Sequence, residues 1–169
     1  MPTGSDSHHE EELGEVQQVL KDYLRGRGMR LTPERSAIVD AVYNTEGHFS
    51  IEEIHRELQQ RRFPVSLATL YNNVEMLIDA NLLARHYFGA DAMYERVYGM
   101  EPHYHRVCKQ CGQVQDVRFD ALTQFITSKK VRGFFVEPSS LYVYGLCSKC
   151  HAALRRKKRN SQKKNESRS

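Results

Sequence analysis

Two Cys-x-x-Cys pairs constrain this chain more than any other feature of its sequence. Cys108 and Cys111 form the first pair, and Cys147 and Cys150 form the second. Thiolates three residues apart on a tight turn can both reach one ion, and two such turns supply the tetrahedral ligand set that zinc prefers. Gly112 follows the first pair, where a turn of this kind favours a residue that tolerates a positive φ. The sequence therefore predicts a structural zinc site with four protein ligands and no open coordination position.

The composition indicates a soluble protein of a reducing compartment. It is 40% hydrophobic and 27% charged, and no apolar run approaches the roughly 20 residues that cross a bilayer. Residues 1–12 are polar and acidic, without the apolar centre of a secretory signal. We therefore expect a cytoplasmic protein without a membrane segment, in which paired cysteines bind metal rather than form disulfides.

Helical periodicity followed by two strands marks the first half of the chain. Apolar side chains recur at helical spacing in four successive segments, and two strands then flank a turn at residues 89–91. This order predicts a winged helix-turn-helix domain over residues 13–98, preceded by a disordered N-terminus at 1–12. The helix start signals are Thr32 before Pro33, a capping box of Ser50 with Glu53, and Ser66.

The fourth helix of this domain is the one that a winged helix-turn-helix would offer to the major groove. Its solvent side carries small and hydrogen-bonding side chains, which suit contacts with base edges and thymine methyl groups. The periodicity alone is equally compatible with a helix that only has a polar face. The side chains on that face are Ala68, Thr69, Asn72 and Glu75, with Tyr71 at its edge.

The second half predicts a small α/β domain at 103–154, reached through a hinge at 99–102. About fifty residues bury too little surface to hold a core alone, so a metal, a partner chain or both are expected to stabilise it. Residues 155–169 hold eight basic side chains and one acidic one, which indicates a disordered basic tail. The fold class is thus α+β. The elements expected in the domain are strands near 103–108, 114–119, 134–136 and 141–146, and a helix at 120–130.

Histidines and carboxylates form a second candidate ligand set. His103 and His105 are two residues apart on a strand and so point to one side, and Asp116 lies on the next strand. Glu95 ends the wing, and His48 precedes the third helix. Imidazole with carboxylate suits Fe²⁺, Mn²⁺, Zn²⁺ or Co²⁺, although each of these residues alone also fits a solvated surface position. His55 and His86 are interpreted as structural or surface residues, with a ligand role for His86 left open.

Five segments together resemble the ferric uptake regulator (Fur) family, with its peroxide-sensing (PerR) and zinc-sensing branches. The resemblance runs in order over roughly residues 13–154. It implies a homodimeric regulator, usually a repressor, that binds AT-rich inverted repeats of double-stranded DNA when a regulatory metal is present. The matching segments are RLTPER at 30–35, HFSIEEIH at 48–55, SLATLYNN at 66–73, HYHRVCKQCG at 103–112 and LYVYGLCSKC at 141–150.

The resemblance also implies roles for individual residues. The four cysteines hold structural Zn²⁺, and a regulatory Fe²⁺ or Mn²⁺ ion, with Zn²⁺ as a further option, selects the DNA-competent dimer. Tyr71 resembles the base-contacting residue of the recognition helix and Arg30 the residue that enters the minor groove. Thr69 and Asn72 complete the predicted DNA contacts. The regulatory ligands implied are His48, Glu95, His103, His105 and Asp116.

Some questions stay open at the level of sequence. His103 to His105, the Tyr-Asn-Asn of the fourth helix and Asp116 resemble the peroxide-sensing branch, whereas Glu95 resembles the iron-sensing branch. A metalloenzyme that uses the histidine and carboxylate residues would need a further acid or base in a cleft, and no nucleophile motif or phosphate loop is present, so we expect no enzyme. A zinc-ribbon RNA-binding protein is the other alternative, and it would leave the winged-helix pattern without a purpose.

Overall fold

The structure is a computed structural model that describes residues 4–89, 91–128, 132–133 and 140–166. It divides into two compact units, Met1–Met100 and Glu101–Ser169, which are described separately. The strand expected at 134–136 lies outside the described residues.

Four helices and a two-stranded hairpin build the first unit, as the winged-helix prediction requires. The helices begin at the predicted caps: Thr32, Ser50 and Ser66 each accept a hydrogen bond from a backbone N–H of the first turn, and Ser50 with Glu53 forms the full capping box. The elements are α1 Gly4–Gly26, α2 Pro33–Tyr43, α3 Ile51–Gln60, α4 Leu67–Asp79, β1 Leu83–Tyr87 and β2 Ala92–Arg96.

The hairpin is joined to the start of α3 by a backbone bridge. β1 and β2 pair antiparallel, with His86 opposite Met93. Phe49 and Tyr94 exchange two hydrogen bonds, with N···O distances of 2.9 and 2.8 Å. This bridge fixes the residues on either side of Phe49 against the residues on either side of Tyr94.

The core of the first unit is a continuous apolar cluster of nineteen buried side chains contributed by all four helices and the hairpin. Tyr43 is buried there and its hydroxyl donates a hydrogen bond of 2.9 Å to the Leu82 carbonyl, so its polar atom is satisfied. A core of this size is expected to stabilise the first unit without a structural metal.

The described part of the second unit contains two helices and a three-stranded sheet. Its strand order is β4-β3-β5, with β3 antiparallel to β4 and parallel to β5. Among the described residues of this unit, the buried apolar side chains are Tyr104, Val107 and Cys108. The elements are β3 Tyr104–Cys108, β4 Val114–Val117, α5 Asp120–Ser128, β5 Tyr142–Gly145 and α6 Ser148–Glu166.

Both segments expected to be disordered are helical where the structure describes them. α1 begins at Gly4 instead of near residue 13, because the residues before Leu13 include Glu10, Glu11 and Glu12, which are good helix formers. α6 extends to Glu166 through the basic tail, which is rich in Lys and Arg, both good helix formers, and contains no proline or glycine. High charge density predicted disorder in this tail, but it does not prevent a solvated helix. No helix in the described ranges has the length and apolar character needed to cross a membrane.

Candidate metal centres and DNA-binding helix

The two cysteine pairs meet at one end of the second unit's sheet. Cys108 ends β3 and lies beside Gly145 in the parallel pairing with β5, so the chain that follows each strand starts from the same edge. The N–H of Lys109 donates to the Gly145 carbonyl at 2.9 Å and joins the two turns. Gly112 has a φ of 73°, the left-handed conformation predicted for the first turn.

The distances between the thiols fit a tetrahedral zinc ion. The Sγ atoms of Cys111 and Cys147 are 3.8 Å apart, and the four Sγ atoms all lie within 4.8 Å of one another. Zinc–sulfur bonds of about 2.3 Å at tetrahedral angles place sulfur atoms about 3.8 Å apart. Cys108, Cys111, Cys147 and Cys150 therefore form a closed site suited to structural Zn²⁺.

The thiols of this cluster differ in acidity. Backbone N–H groups, that of Cys147 first and that of Cys111 next, lower the pKa of Cys108 to about 6 because they stabilise its thiolate. Hydrogen bonds to Cys147 and Cys111 raise the pKa of Cys150 to about 12. A divalent ion displaces the remaining thiol protons, so zinc affinity falls as the pH is lowered.

A second cluster lies in the first unit, where two histidines face one buried carboxylate. His48 precedes Phe49 and Glu95 follows Tyr94, so the backbone bridge brings their side chains together. The Oε2 atom of Glu95 is 3.4 Å from His48 Nε2 and 3.0 Å from His86 Nε2. Glu95 and His86 are 4% and 2% exposed, which makes this the most enclosed group of metal-ligating side chains in the described part of the first unit.

His86 is the ligand candidate whose role the sequence left open. It faces Met93 across the hairpin, and Glu95 faces Ala84, so His86 and Glu95 are diagonal neighbours on one face of the two strands. Combining the predicted hairpin with its period-two alternation would have placed them together, but the register depends on the turn, which the sequence leaves ambiguous.

The third cluster lies in the second unit and brings together His103, His105 and Asp116. His105 and Asp116 are direct partners across β3 and β4, and His105 Nδ1 is 3.1 Å from Asp116 Oδ1. His103 Nδ1 is 3.0 Å from the carbonyl of Glu101. Because carbonyl and carboxylate oxygens accept hydrogen bonds, both rings donate from Nδ1, which leaves Nε2 as the atom available to bind a metal, the arrangement common in metal-binding histidines.

The predicted DNA-contacting residues lie at or near the exposed side of α4. Tyr71 and Asn72 are exposed, and the Tyr71 hydroxyl donates a hydrogen bond of 3.4 Å to Glu52 of α3. Thr69 takes part in the helix cap with Ser66, which engages its hydroxyl at 2.9 Å. Arg30 is exposed just before α2, and its carbonyl accepts a hydrogen bond from Arg35.

A winged helix with an open polar face on its fourth helix, followed by a four-thiol site, defines a zinc-binding protein of the winged-helix class. The Ferric uptake regulator family matches residues 26–144 of this chain. The chain therefore belongs to this family, and it is a metal-responsive transcription regulator.

Known relatives agree with this assignment. The peroxide operon regulator of Bacillus subtilis is 31% identical over 140 residues, which cover 82% of this chain and 93% of the relative. The ferric uptake regulator of Pseudomonas aeruginosa, solved with manganese, is 27% identical, covers 74% of this chain and 95% of its own, and superposes with a TM-score of 0.64. A zinc uptake regulator solved with zinc and DNA shares the fold, with 18% identity, coverage of 86% and 96%, and a TM-score of 0.53.

Proposed function

We propose that this protein is a cytoplasmic, homodimeric repressor that binds AT-rich inverted repeats when a regulatory divalent metal is bound. The four cysteines would hold structural Zn²⁺. His48, Glu95, His103, His105 and Asp116 would bind the regulatory ion, Fe²⁺ or Mn²⁺, with Zn²⁺ as a further option. The sequence-based expectation that this ion selects the DNA-competent dimer is part of the proposal.

The observation that carries the proposal is the presence of a second metal-binding chemistry beside the four thiols. Imidazole and carboxylate groups gather in both units, and the Nδ1 hydrogen bonds of His103 and His105 orient both rings with Nε2 as the donor atom. Such groups favour exchangeable, borderline-to-hard ions, whereas a closed site of four thiolates suits a structural zinc ion. A protein with both chemistries can keep a structural ion while it responds to a second one.

The residues proposed to contact DNA are Arg30, Thr69, Tyr71 and Asn72. Tyr71 and Asn72 offer a hydroxyl and an amide on the open face of α4, and groups of this kind recognise base edges in the major groove. Arg30 supplies a positive charge that suits phosphates or a narrow minor groove. Regulation rather than catalysis is proposed, because metal-responsive regulation, the activity of the family, accounts for the histidine and carboxylate residues without substrate chemistry.

Two features bear on the regulatory signal. A relative is a peroxide operon regulator, and Asp116 resembles the peroxide-sensing branch. Glu95, in contrast, resembles the iron-sensing branch. We propose that the signal is either the metal itself or peroxide acting on the iron-loaded protein, and the test below is designed to separate the two.

The test compares two DNA duplexes of equal composition, one with an intact AT-rich inverted repeat and one with a scrambled half-site. Fluorescence anisotropy of metal-loaded protein should show tighter binding to the intact repeat, because a dimer engages both half-sites. Equal affinity for the two duplexes would contradict the operator proposal. Peroxide should then release the iron-loaded but not the manganese-loaded protein if peroxide is the signal, whereas retention of both would identify the metal as the signal.

A further inference from the structure

The first unit contains a complete set of metal donors by itself, because His86 joins His48 and Glu95. The ligand atoms of these three residues lie within 4.8 Å of one another. Ligands about 2.1 Å from an ion are about 3.0 Å apart at the 90° angles of an octahedral site and about 3.4 Å apart at tetrahedral angles. The Glu95 Oε2 atom lies 3.0 Å from His86 Nε2 and 3.4 Å from His48 Nε2, which are the two values expected for these geometries. The donors therefore already have the spacing that a bound ion requires.

Backbone pairing holds the three donors in place. His86 and Glu95 stand on the paired strands of the hairpin, and His48 is held beside Glu95 by the two hydrogen bonds between Phe49 and Tyr94. Donors on paired strands vary less in position than donors on loops, so little ordering cost remains when an ion binds.

An apolar wall encloses the same donors. Phe88 packs edge-on against the His48 ring with centroids 4.8 Å apart, and it stacks on the His86 ring at 5.5 Å. The Glu95 carboxylate is only 4% exposed, and a carboxylate taken out of water needs a cation or strong hydrogen-bond donors nearby. A divalent ion held by all three side chains would be such a cation.

We infer that His48, His86 and Glu95 form a two-histidine, one-carboxylate site, and that the winged-helix unit retains a divalent transition metal through it without ligands from the second unit. This donor set is the one that non-haem Fe²⁺ sites use, and it leaves further coordination positions open. The inference deepens the proposed function and rests on it: His86 is added to the regulatory ligands, and the ion has an anchor of its own in the DNA-binding unit.

The consequence is a division of roles between the ligands. The anchor in the first unit would retain the ion by itself, and the contribution of His103, His105 and Asp116 to metal binding can be measured separately. Loss of these three ligands should then weaken metal binding without abolishing it. Loss of His86 should weaken metal binding both in the unmodified protein and in a variant that lacks His103, His105 and Asp116.

The test uses full-length zinc-loaded protein and Co²⁺, whose ligand-field absorption reports its ligands. A background variant carries His103→Ala, His105→Ala and Asp116→Ala. It should still bind one Co²⁺ per chain and show two paramagnetically shifted histidine N–H signals by NMR. Adding His86→Gln should lower the Co²⁺ affinity about 10-fold or more and remove one of those signals. Glutamine keeps a hydrogen-bond donor beside Glu95, so the carboxylate stays satisfied.

His55→Gln in the same background is the matched control. His55 is a part-buried histidine of the same unit, and its Nε2 lies 3.0 Å from the Val65 carbonyl, outside the cluster. The Co²⁺ affinity and absorption spectrum of the His55→Gln variant should equal those of the background variant. Thermal unfolding without Co²⁺ should show that each variant is folded. A background variant that binds no Co²⁺, or a His86→Gln variant with unchanged affinity and spectrum, would overturn the inference.

The outcome is separable from the fate of the proposed function. Co²⁺ occupancy of the background variant tests the metal site in the first unit. Metal-dependent DNA binding by the unmodified protein tests the proposed regulatory function. If DNA binding depends on metal but the background variant binds no Co²⁺, the anchor is refuted and the regulator stands. If the background variant retains Co²⁺ but DNA binding by the unmodified protein does not depend on any metal, the metal site in the first unit stands and the proposed metal-dependent regulation is refuted.

Discussion

Replacing Cys108 with serine removes one of four thiolates and exposes how much of the second unit depends on zinc. In the described part of that unit, Tyr104 and Val107 are the buried apolar side chains other than Cys108 itself, and burying two such side chains contributes about 3–6 kcal/mol. Zinc held by four protein ligands contributes about 10–16 kcal/mol. The metal is the larger contribution, so its loss should unfold the second unit while the core of the first unit persists.

Hydrogen exchange followed by NMR measures this effect residue by residue. The amides of Cys108 and Lys109 donate to the carbonyls of Gln113 and Gly145 and are expected to be protected in the unmodified protein. Their protection should be lost in Cys108→Ser, whereas the amide of Leu82, bonded to the Leu77 carbonyl, should stay protected. Metal analysis should show loss of the zinc ion.

Gln110→Ala is the matched control, because Gln110 lies between the two cysteines of the same turn and only its backbone supports the Cys108 thiolate. This variant should keep its zinc and its protection pattern. If Cys108→Ser kept one zinc per chain and the same protection, the reasoning that zinc holds the second unit together would be refuted.

Three further predictions concern the helix cap, the core and the basic helix. Ser50→Ala removes the capping box of α3 and should lower the free energy of unfolding of the first unit by about 1 kcal/mol in a urea titration. Burial raises the pKa of Tyr43, so its stabilising effect is present below about pH 10 and is lost as the pH rises further. Tyr43→Phe should therefore cost about 1 kcal/mol at neutral pH and reduce the alkaline loss of stability. Truncation before Arg155 removes the basic part of α6 and should flatten the salt dependence of DNA binding measured by anisotropy.

Each of these three has a clear contradicting result. An unfolding free energy unchanged by Ser50→Ala would mean that the cap is replaced by solvent at no cost. An alkaline stability profile unaffected by Tyr43→Phe would show that this phenol does not titrate differently in the folded and unfolded states. A salt slope unchanged by the truncation would exclude the basic helix from contact with phosphates.

Local rules of sequence predicted most of the fold and the gathering of the four cysteines. Helix caps at Thr32, Ser50 and Ser66 and the Cys-x-x-Cys pairs depend on residues within a few positions of one another, so their signals are readable directly. The pairing of His105 with Asp116 also follows from strand alternation once two neighbouring strands are assumed.

Features that depend on register or on solvation were not predictable in the same way. His86 lies beside Glu95 because of the particular pairing of β1 with β2, and a shift of one residue would turn it to the opposite face. The basic tail shows a different limit: its charge density suggested disorder, but helix propensity sets the local conformation of α6.

Whether a metal ion controls DNA binding can be measured by anaerobic fluorescence anisotropy of zinc-loaded protein on DNA from its own promoter, titrated with Fe²⁺ or Mn²⁺. Metal should tighten DNA binding by about 10-fold or more, within the usual range of coupling between two sites. His9→Ala, which changes a histidine far from the ligand clusters in sequence, should behave like the unmodified protein, and His103→Ala should lose the response. Equal DNA affinity with and without every added metal would contradict the account, and it would leave the histidine and carboxylate residues with a purely structural role.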